Sequence, residues 1–436
     1  QQGGANLLRG ERERLPLEQS RQLAEINRSI SSSDQELTES ELRRRLHVLA
    51  PRDGVVTAVT AEVGHAVDPS RPVLSIVPPG ARLQAQLFAP SKAVGFVRGG
   101  LSLVNIMAST FFGAISGSSV ADTASVGSVL IPEMERKGYP RTFGAVLTAS
   151  ASVQAILVPP SHNSVLFAIV ANTAAVTIPA MFLAGIIPTF VLCGTLIVLC
   201  LFSARKNNYP KEAKIEFRRK VKIALDAIWG LITIVIISGG ILSGFFTPTE
   251  SGAIACIWAM FVTFFVYREY KFRDFPKLIH RTIKTVTMVM VLIAFAAAFG
   301  SVMMLVDLPQ QISAALLTLS DNKYVILLII NILLLLLGCL MDMAPLILIL
   351  TPILLPVAVQ LGINPVHFGI IMMTNLGIGL ITPPVGSVLF VASAVSGVKI
   401  EQVVKSMLPF YLALFAVLIV ITYVPIISLW LPSVFH

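Results

Sequence analysis

The sequence predicts a mainly α-helical, polytopic membrane protein that contains two inverted repeats. Three observations support this fold class: an apolar composition, a pattern of prolines, glycines and acids that occurs twice, and basic loops that set the direction of the membrane spans. Hydrophobic residues occupy 55% of the 436 positions and charged residues only 13%, about half the charged fraction of an average soluble domain. Several apolar runs exceed the roughly 20 residues that a helix needs to cross a bilayer.

The repeated pattern is a hairpin with a polar tip, followed by a helix that is interrupted at Pro-Pro. Asp122 in the first copy corresponds to Asp342 in the second, and the Pro-Pro pair at 159–160 corresponds to the pair at 383–384. Both pairs are followed within a few residues by Ser-Val-Leu-Phe. Prolines, glycines and an acid that recur in the same order indicate an internal repeat and not two unrelated apolar stretches.

Two basic loops set the orientation. Residues 204–222 contain eight Lys or Arg and residues 267–284 contain six, so both loops are predicted to face the cytoplasm. This placement accounts for the net charge of +9 and predicts no nucleic-acid partner. From these loops, the first hairpin enters the membrane from the cytoplasm and the second, residues 323–360, from the opposite side. The intervening spans are predicted at 176–202, 223–246, 250–267 and 285–306.

The helix breaks point to a transport function. Inverted repeats with discontinuous helices are a recurring plan of secondary transporters, whose substrate and ion sites lie where the helices break. Pro-Pro removes two amide donors in succession and leaves carbonyls available to coordinate a cation such as Na⁺. Irregular backbone is tolerated at membrane depth only where it lines a cavity or is buried in protein. Gly377, Gly379 and Gly386 are predicted to allow chain segments to approach closely.

Polar residues cluster at the same tips and breaks. Ionisable groups at membrane depth are costly and usually functional, which makes Asp122 and Asp342 candidates for ion binding. The alternative for each Asp is a structural role as the N-cap of a hairpin helix. For the individual Ser and Thr residues, the alternative is a hydrogen bond to their own helical turn.

Two stretches carry a family resemblance: GFVRGGLSLVNIMASTFFGAISGSSVADTASVGSVLIPEM and LMDMAPLILILTPILLPVAVQLGINPVHFGIIMMTNLGIGLITPPVG. They resemble the large permease subunit of tripartite ATP-independent periplasmic (TRAP) transporters over residues 95–436. The resemblance implies an elevator-type transporter of the bacterial inner membrane, coupled to Na⁺ and without another cofactor. Its implied partners are a small membrane subunit and a periplasmic substrate-binding protein. The implied substrate is an organic acid: a C4-dicarboxylate, a sialic acid or a sugar acid.

The resemblance also locates the expected sites on this chain, at the two hairpin tips and the two Pro-Pro breaks. The Na⁺ candidates are Ser116, Gly117, Ser118, Ser119, Asp122, Pro159, Pro160, Gly338, Asp342, Thr382, Pro383, Pro384 and Gly386. The substrate candidates are Ser161, His162, Asn163, Thr374, Asn375 and Ser387.

The first hundred residues have a different character. Residues 48–94 alternate in short β-like runs separated by turns, and they resemble the lipoyl-like hairpin of membrane fusion proteins, the periplasmic adaptors of type I secretion systems. Residues 1–47 are rich in Arg and Glu and resemble one strand of the adaptor's coiled coil. The alternative for this stretch is a generic charged helix.

The two parts are predicted to form a chimera. The first hundred residues contain twelve Arg and one Lys, whereas the remainder contains eight Arg and twelve Lys. The expected permease parts are a truncated first repeat at 95–202, a basic loop at 203–222 and a second repeat at 223–436. The second repeat has three spans before its hairpin and the first has none, so we expect transport to be impaired.

The sequence supports other functions less well than transport. An intramembrane aspartyl protease would pair Asp122 with Asp342, but neither lies in a Gly-x-Gly-Asp context, so no catalytic residue and no enzyme activity are predicted. The four cysteines lie in apolar segments without metal-ligand spacing, which predicts no metal site apart from Na⁺. The main alternative is a membrane-anchored periplasmic adaptor of a secretion system, which would take its identity from the first ninety residues.

Overall fold

A computed structural model describes residues 55–59, 74–77, 98–173, 175–207, 209, 228–230, 232–268, 273, 275–319 and 322–435. The predicted coiled-coil segment at 1–47 lies outside the described residues. Of the predicted basic loop at 203–222, the structure describes residues 203–207 and 209.

Two short strands lie in the predicted β region. Strand β1, Val55–Val59, pairs with β2, Leu74–Val77, in antiparallel register, with an irregularity between Val56 and Ala58. The alternation of Val with small residues favours this extended backbone. The pair agrees with the predicted β-like runs, whereas the adaptor resemblance and the chimera stay predictions.

The first helical half begins with a hairpin of two arms, which we call hairpin 1. Its arms α1, Gly100–Ser116, and α2, Ser119–Arg136, meet at tip 1, Gly117-Ser118. Gly117 has φ 61°, a left-handed conformation that glycine adopts without a Cβ penalty. The Ser118 hydroxyl accepts a hydrogen bond from the Ala121 amide and caps α2. Local sequence therefore explains where this hairpin turns.

A broken helix follows hairpin 1. Helix α3, Arg141–Ala151, ends at a segment that we call break 1, residues 152–161, which contains a 3₁₀ turn, Gln154–Ile156, and a cis Pro159-Pro160 bond. The chain resumes as α4, His162–Ala171, and then as the long α5, Ile178–Lys206. Pro159 and Pro160 cannot donate amide hydrogen bonds, so regular helix cannot run through this part of the break.

The second half repeats this order after further helices. These are α6, Ile228–Leu242, α7, Pro248–Val266, α8, Phe275–Leu305, and α9, Leu308–Leu319. Hairpin 2 consists of α10, Lys323–Gly338, and α11, Met343–Gln360, joined by tip 2, residues 339–342. Helix α12, Pro365–Gly379, ends at break 2, residues 380–386, which contains a cis Pro383-Pro384 bond. Helices α13, Ser387–Ser396, α14, Ile400–Tyr423, and α15, Ile426–Phe435, complete the chain.

The predicted spans agree with these helices, with shifts at their ends. Five helices of the described part are long and apolar enough to cross a membrane. The predicted span at 285–306 corresponds to α8, which begins ten residues earlier because the basic stretch before it is also helical. Helices α9 and α15 were not predicted, since each is short and follows a longer apolar helix.

The two halves pack reciprocally. Helix α4, which follows break 1, packs against α11 of hairpin 2, and α13, which follows break 2, packs against α2 of hairpin 1. The central core is close-packed: a Cβ on Gly369 of α12 would lie 2.5 Å from the ring of Phe167 on α4. Phe167 and Phe368 are fully buried. Through this packing, the helix that follows each break lies against the hairpin of the other half.

Candidate functional site

Tip 1 is joined to the start of α4 at break 1. The Asn163 side-chain amide donates a hydrogen bond of 3.1 Å to the Gly117 carbonyl. A Cβ on Gly117 would lie 2.7 Å from Nδ1 of His162, so the imidazole lies directly against the tip backbone. The structure therefore brings Gly117, His162 and Asn163 together, while their roles in ion and substrate binding stay predictions.

Tip 2 is joined to break 2 in a comparable way. The Gly386 amide donates a hydrogen bond of 3.1 Å to the Cys339 carbonyl. A Cβ on Gly379 would lie 2.6 Å from the carbonyl carbon of Gly338, which means that α10 and α12 approach at backbone distance. The predicted close approach at Gly379 is confirmed, and Gly338 takes part in this helix contact.

The sequence predicted that carbonyls near the Pro-Pro pairs lack hydrogen-bond donors and are available to a cation. In the structure, some of these carbonyls accept hydrogen bonds from side chains. At break 1, the Ser161 hydroxyl donates to the Ile156 carbonyl, and its oxygen accepts from the Ser164 amide at 3.4 Å to cap α4. At break 2, the Tyr411 hydroxyl on α14 donates to the Ile381 carbonyl at 2.5 Å. These partners satisfy backbone groups that would otherwise be costly inside a membrane.

The two corresponding acids of the repeat occupy different environments. Asp122 lies within α2 and is completely buried, while the cap of that helix is Ser118. Asp342 is exposed and occupies the N-cap position of α11, but its side chain makes no capping hydrogen bond. The alternative hypothesis, that each Asp side chain caps a hairpin helix, is therefore wrong for both residues.

A cavity of about 260 Å³ opens beside break 1. Its polar wall consists of Ser116, Ser161 and His162, and most of the remaining wall is apolar, including Val165 and Phe182. His162 is the ionisable residue among those that line this cavity.

Two predicted substrate residues lie in a polar network instead of the cavity wall. Thr374 and Asn375 are fully buried in α12. The Thr374 hydroxyl donates to the Ile370 carbonyl at 2.7 Å, and the Asn375 amide donates to Oδ1 of Asn331 on α10 at 2.7 Å. Asn331 in turn donates to the Thr422 hydroxyl at 3.1 Å. Asn331 and Thr422 were missed because no local motif marks them.

The remaining candidates surround the tips and break 2. The Ser119 hydroxyl donates to the Ser152 carbonyl at 2.8 Å and ties hairpin 1 to break 1. The Thr382 hydroxyl donates to the Ile378 carbonyl at 2.7 Å, and the Ser387 hydroxyl is buried without a hydrogen-bond partner. Pro159 and Pro160 are half-buried, whereas Pro383 and Pro384 are exposed.

The chain is similar to known transporter proteins. The family model "Tripartite ATP-independent periplasmic transporter, DctM component" matches residues 84–427, and so begins upstream of the boundary near residue 95 that the motifs indicated. The C4-dicarboxylate TRAP transporter large permease protein DctM of Pseudomonas aeruginosa is 42% identical over 340 residues, which cover 78% of this chain and 79% of the relative.

Further relatives carry other substrate names. The sialic acid TRAP transporter large permease protein SiaM of Vibrio cholerae is 39% identical, with 78% of this chain and 79% of that protein covered. The 2,3-diketo-L-gulonate TRAP transporter large permease protein YiaN of Escherichia coli is 36% identical, with 77% and 78% covered. The YdaH transporter of Alcanivorax borkumensis shares the fold at a TM-score of 0.52 and 19% identity, over 81% of this chain and 85% of that structure. The chain belongs to the family of the DctM component of tripartite ATP-independent periplasmic transporters.

Proposed function

We propose that this chain is the large permease of a TRAP transporter that takes up an organic acid together with Na⁺. The observation that carries the proposal is the hydrogen bond between hairpin tip and helix break in each half, Asn163 to Gly117 and Gly386 to Cys339. Such contacts hold irregular backbone at membrane depth, the arrangement in which secondary transporters bind ions and substrate.

Family membership indicates the cellular location and the general class of the protein. Members of this family are multi-pass proteins of the inner membrane and act as transporter permeases, not as enzymes. The described helices agree with that location, because five of them have the length and apolar character of membrane spans.

The proposed mechanism uses two inverted repeats. The reciprocal packing of α4 on hairpin 2 and of α13 on hairpin 1 supports a pseudo-twofold arrangement. Because each tip is hydrogen-bonded to its own break, tips and breaks would move as one body. Movement of this body against the other helices would carry the site from one side of the membrane to the other, as in an elevator.

The tips offer the atoms that Na⁺ requires. Na⁺ is a hard cation, and hard cations prefer oxygen ligands. Each tip carbonyl that accepts one hydrogen bond retains a second lone pair, and the Ser116 and Ser118 hydroxyls and the Asp342 carboxylate lie at the same tips. These residues would hold the ion during the transport cycle.

We place the organic acid in the cavity beside break 1. The imidazole of His162 can donate a hydrogen bond to a carboxylate, and α4 begins at this wall, so its N-terminal amides favour an anion. The names of the relatives indicate the classes to test: C4-dicarboxylate, sialic acid and 2,3-diketo-L-gulonate. The cavity wall supports binding of one carboxylate near His162.

The proposed partners are a small membrane subunit and a periplasmic substrate-binding protein. One relative is the isethionate TRAP transporter permease protein DctMQ of Oleidesulfovibrio alaskensis. Its name joins M, for the large permease, with Q, for the small membrane subunit. Exposed apolar side chains on α5 and α8, such as Phe190, Phe202 and Phe295, provide a surface that must be covered by lipid or by a membrane subunit.

The test is uptake by proteoliposomes that contain the chain with its small subunit. Each binding protein, loaded with a labelled C4-dicarboxylate, sialic acid or sugar acid, is supplied outside, under a Na⁺ gradient or a matched K⁺ gradient. We expect uptake of one acid class that depends on Na⁺ and on the binding protein. Uptake that is equal in K⁺ would refute Na⁺ coupling, and copurification with an ATP-driven exporter would favour the adaptor function.

A further inference from the structure

The cavity beside break 1 has a polar side and an apolar side. The polar side consists of Ser116, which ends α1 at tip 1, and of Ser161 and His162 at the start of α4. The lining from the helices that follow is apolar and consists of Phe182 on α5, Ile237 and Ile241 on α6, and Pro248 on α7. A ligand that fits this cavity therefore has one polar end and one apolar end.

The polar side offers two donors, which match the two oxygens of a single carboxylate. The hydroxyl of Ser161 is not available, because it donates to a backbone carbonyl and caps α4. The Ser116 oxygen accepts from the Ser118 amide at 3.4 Å, a contact that leaves the hydroxyl proton of Ser116 for a ligand. The imidazole of His162 carries an N–H in either of its neutral forms.

A second carboxylate on the ligand would find no partner at the apolar side. Among the described residues that line the cavity, none is a Lys or an Arg. The side chains of Phe182, Ile237, Ile241 and Pro248 also carry no oxygen that could hold Na⁺ beside such a charge. Burial of an unpaired charge is strongly unfavourable. The cavity therefore disfavours a dicarboxylate.

Hydroxyl groups on the body of the acid would lack partners for the same reason. The side chains of Phe182, Ile237 and Ile241 form no hydrogen bonds, and Pro248 has no amide hydrogen to donate. A sugar acid would exchange water for these side chains, and each hydroxyl left without a hydrogen bond would weaken binding. A methylene group gains from the same transfer out of water. The wall therefore favours an aliphatic body over a hydroxylated one.

The volume of the cavity limits the length of that body. A water molecule occupies about 30 Å³ in the liquid, so a cavity of about 260 Å³ has room for about nine groups of that size. A carboxyl group has three non-hydrogen atoms, which leaves space for a body of about six carbon atoms. Acids with a much larger body would extend beyond the cavity.

From this lining we propose that the cavity binds an aliphatic monocarboxylate, with the carboxylate at Ser116 and His162 and the body against α5, α6 and α7. The inference rests on the proposed function, because it takes this cavity as the substrate site. It narrows the substrate class: the C4-dicarboxylate, sialic acid and 2,3-diketo-L-gulonate in the names of the relatives are expected to be poorer ligands of this chain. Ile237 is a specificity-determining residue of the apolar side.

The test measures thermal stabilisation of the purified full chain by added acids, in Na⁺ and in K⁺. The probes are the straight-chain monocarboxylates from butanoate to nonanoate, with succinate as the dicarboxylate and gluconate as the sugar acid. An uncharged control, 1-heptanol, reports non-specific apolar binding. We expect the half-maximal concentration to fall about fourfold per methylene group from butanoate to heptanoate, the factor that corresponds to about 0.8 kcal/mol. Beyond heptanoate no further gain is expected.

Two variants of α6 test the apolar side. Ile237→Ser places a hydroxyl in the lining, and Ile236→Ser is the matched control, because Ile236 is also half-buried on α6 but does not line the cavity. We expect Ile237→Ser to reduce the gain in affinity between butanoate and heptanoate by about fourfold, the contribution of one methylene group. Ile236→Ser should keep the wild-type dependence on chain length.

Three results would overturn the inference. The first is stabilisation by succinate or gluconate at a lower concentration than by heptanoate. The second is the same dependence on chain length in Ile237→Ser and Ile236→Ser, and the third is equal stabilisation by heptanoate and 1-heptanol. In the first case a stronger effect in Na⁺ than in K⁺ would leave the proposed function standing. If no acid stabilises the chain more in Na⁺ than in K⁺, the proposed function fails together with the inference.

Discussion

Replacement of Gly379 by alanine tests whether the contact between α10 and α12 holds tip 2 against break 2. The added Cβ would lie 2.6 Å from the Gly338 carbonyl carbon and 2.7 Å from its Cα, where an ordinary contact needs at least 3.4 Å. Both atoms belong to backbone, so no side chain can rotate away. The two helices must separate by roughly the missing distance, and overpacking of this kind costs about 1–3 kcal/mol.

Helix propensity offsets only part of this cost. Alanine is favoured over glycine by up to about 1 kcal/mol inside a helix, but Gly379 is the last residue of α12, where the gain is smaller. We therefore expect Gly379→Ala to lower the melting temperature of the purified chain by several degrees. The separation would also weaken the hydrogen bond from Gly386 to Cys339, so Na⁺ should stabilise the variant less than it stabilises the wild type.

The assay is thermal unfolding in detergent, monitored by tryptophan fluorescence, with and without Na⁺. Gly194→Ala is the matched control, because Gly194 is inside α5 and a Cβ there would meet nothing within 4 Å. This control should melt at or slightly above the wild-type temperature. Equal melting temperatures for Gly379→Ala and Gly194→Ala would show that the backbone contact does not constrain this region.

Three further substitutions test the site. Ser161→Ala removes the α4 cap and the bond to Ile156, and should destabilise the chain by about 1–2 kcal/mol in thermal unfolding; an unchanged melting temperature would contradict the capping role. Tyr411→Phe leaves the Ile381 carbonyl without its donor, at about 1–3 kcal/mol, whereas Tyr423→Phe, at a more exposed bond, should cost less; the reverse order would argue against the role of Tyr411. His162→Gln should raise the half-saturating substrate concentration for uptake by about tenfold, the factor that corresponds to 1.4 kcal/mol; unaltered saturation would remove His162 from the substrate site.

The backbone features of the site could be predicted because their causes are local. Proline lacks an amide hydrogen wherever it occurs, so the Pro-Pro pairs mark both breaks without knowledge of the fold. Gly117 and Gly386 have positive φ and lie where a turn is needed. The ends of the hairpin arms and the order of hairpin and broken helix follow from the same short-range signals.

The partners of polar side chains could not be predicted in this way. Asn375 was expected to contact substrate but donates to Asn331, which is 44 residues away. Tyr411 reaches the Ile381 carbonyl from a helix that contains no site motif. Both contacts depend on how helices pack, and helical periodicity alone does not specify which faces meet.

The two acids of the repeat show which features follow from the sequence alone and which depend on the tertiary structure. Their corresponding positions identified the hairpins, the apolar composition with its broken helices indicated the membrane fold, and two motif-bearing stretches carried the family resemblance. The sequence did not determine that Asp122 would be buried between two arms and Asp342 exposed at a tip. Burial depends on neighbours that are distant in the chain, so only the packed structure decides which acid is enclosed within hairpin 1 and which one is exposed at tip 2.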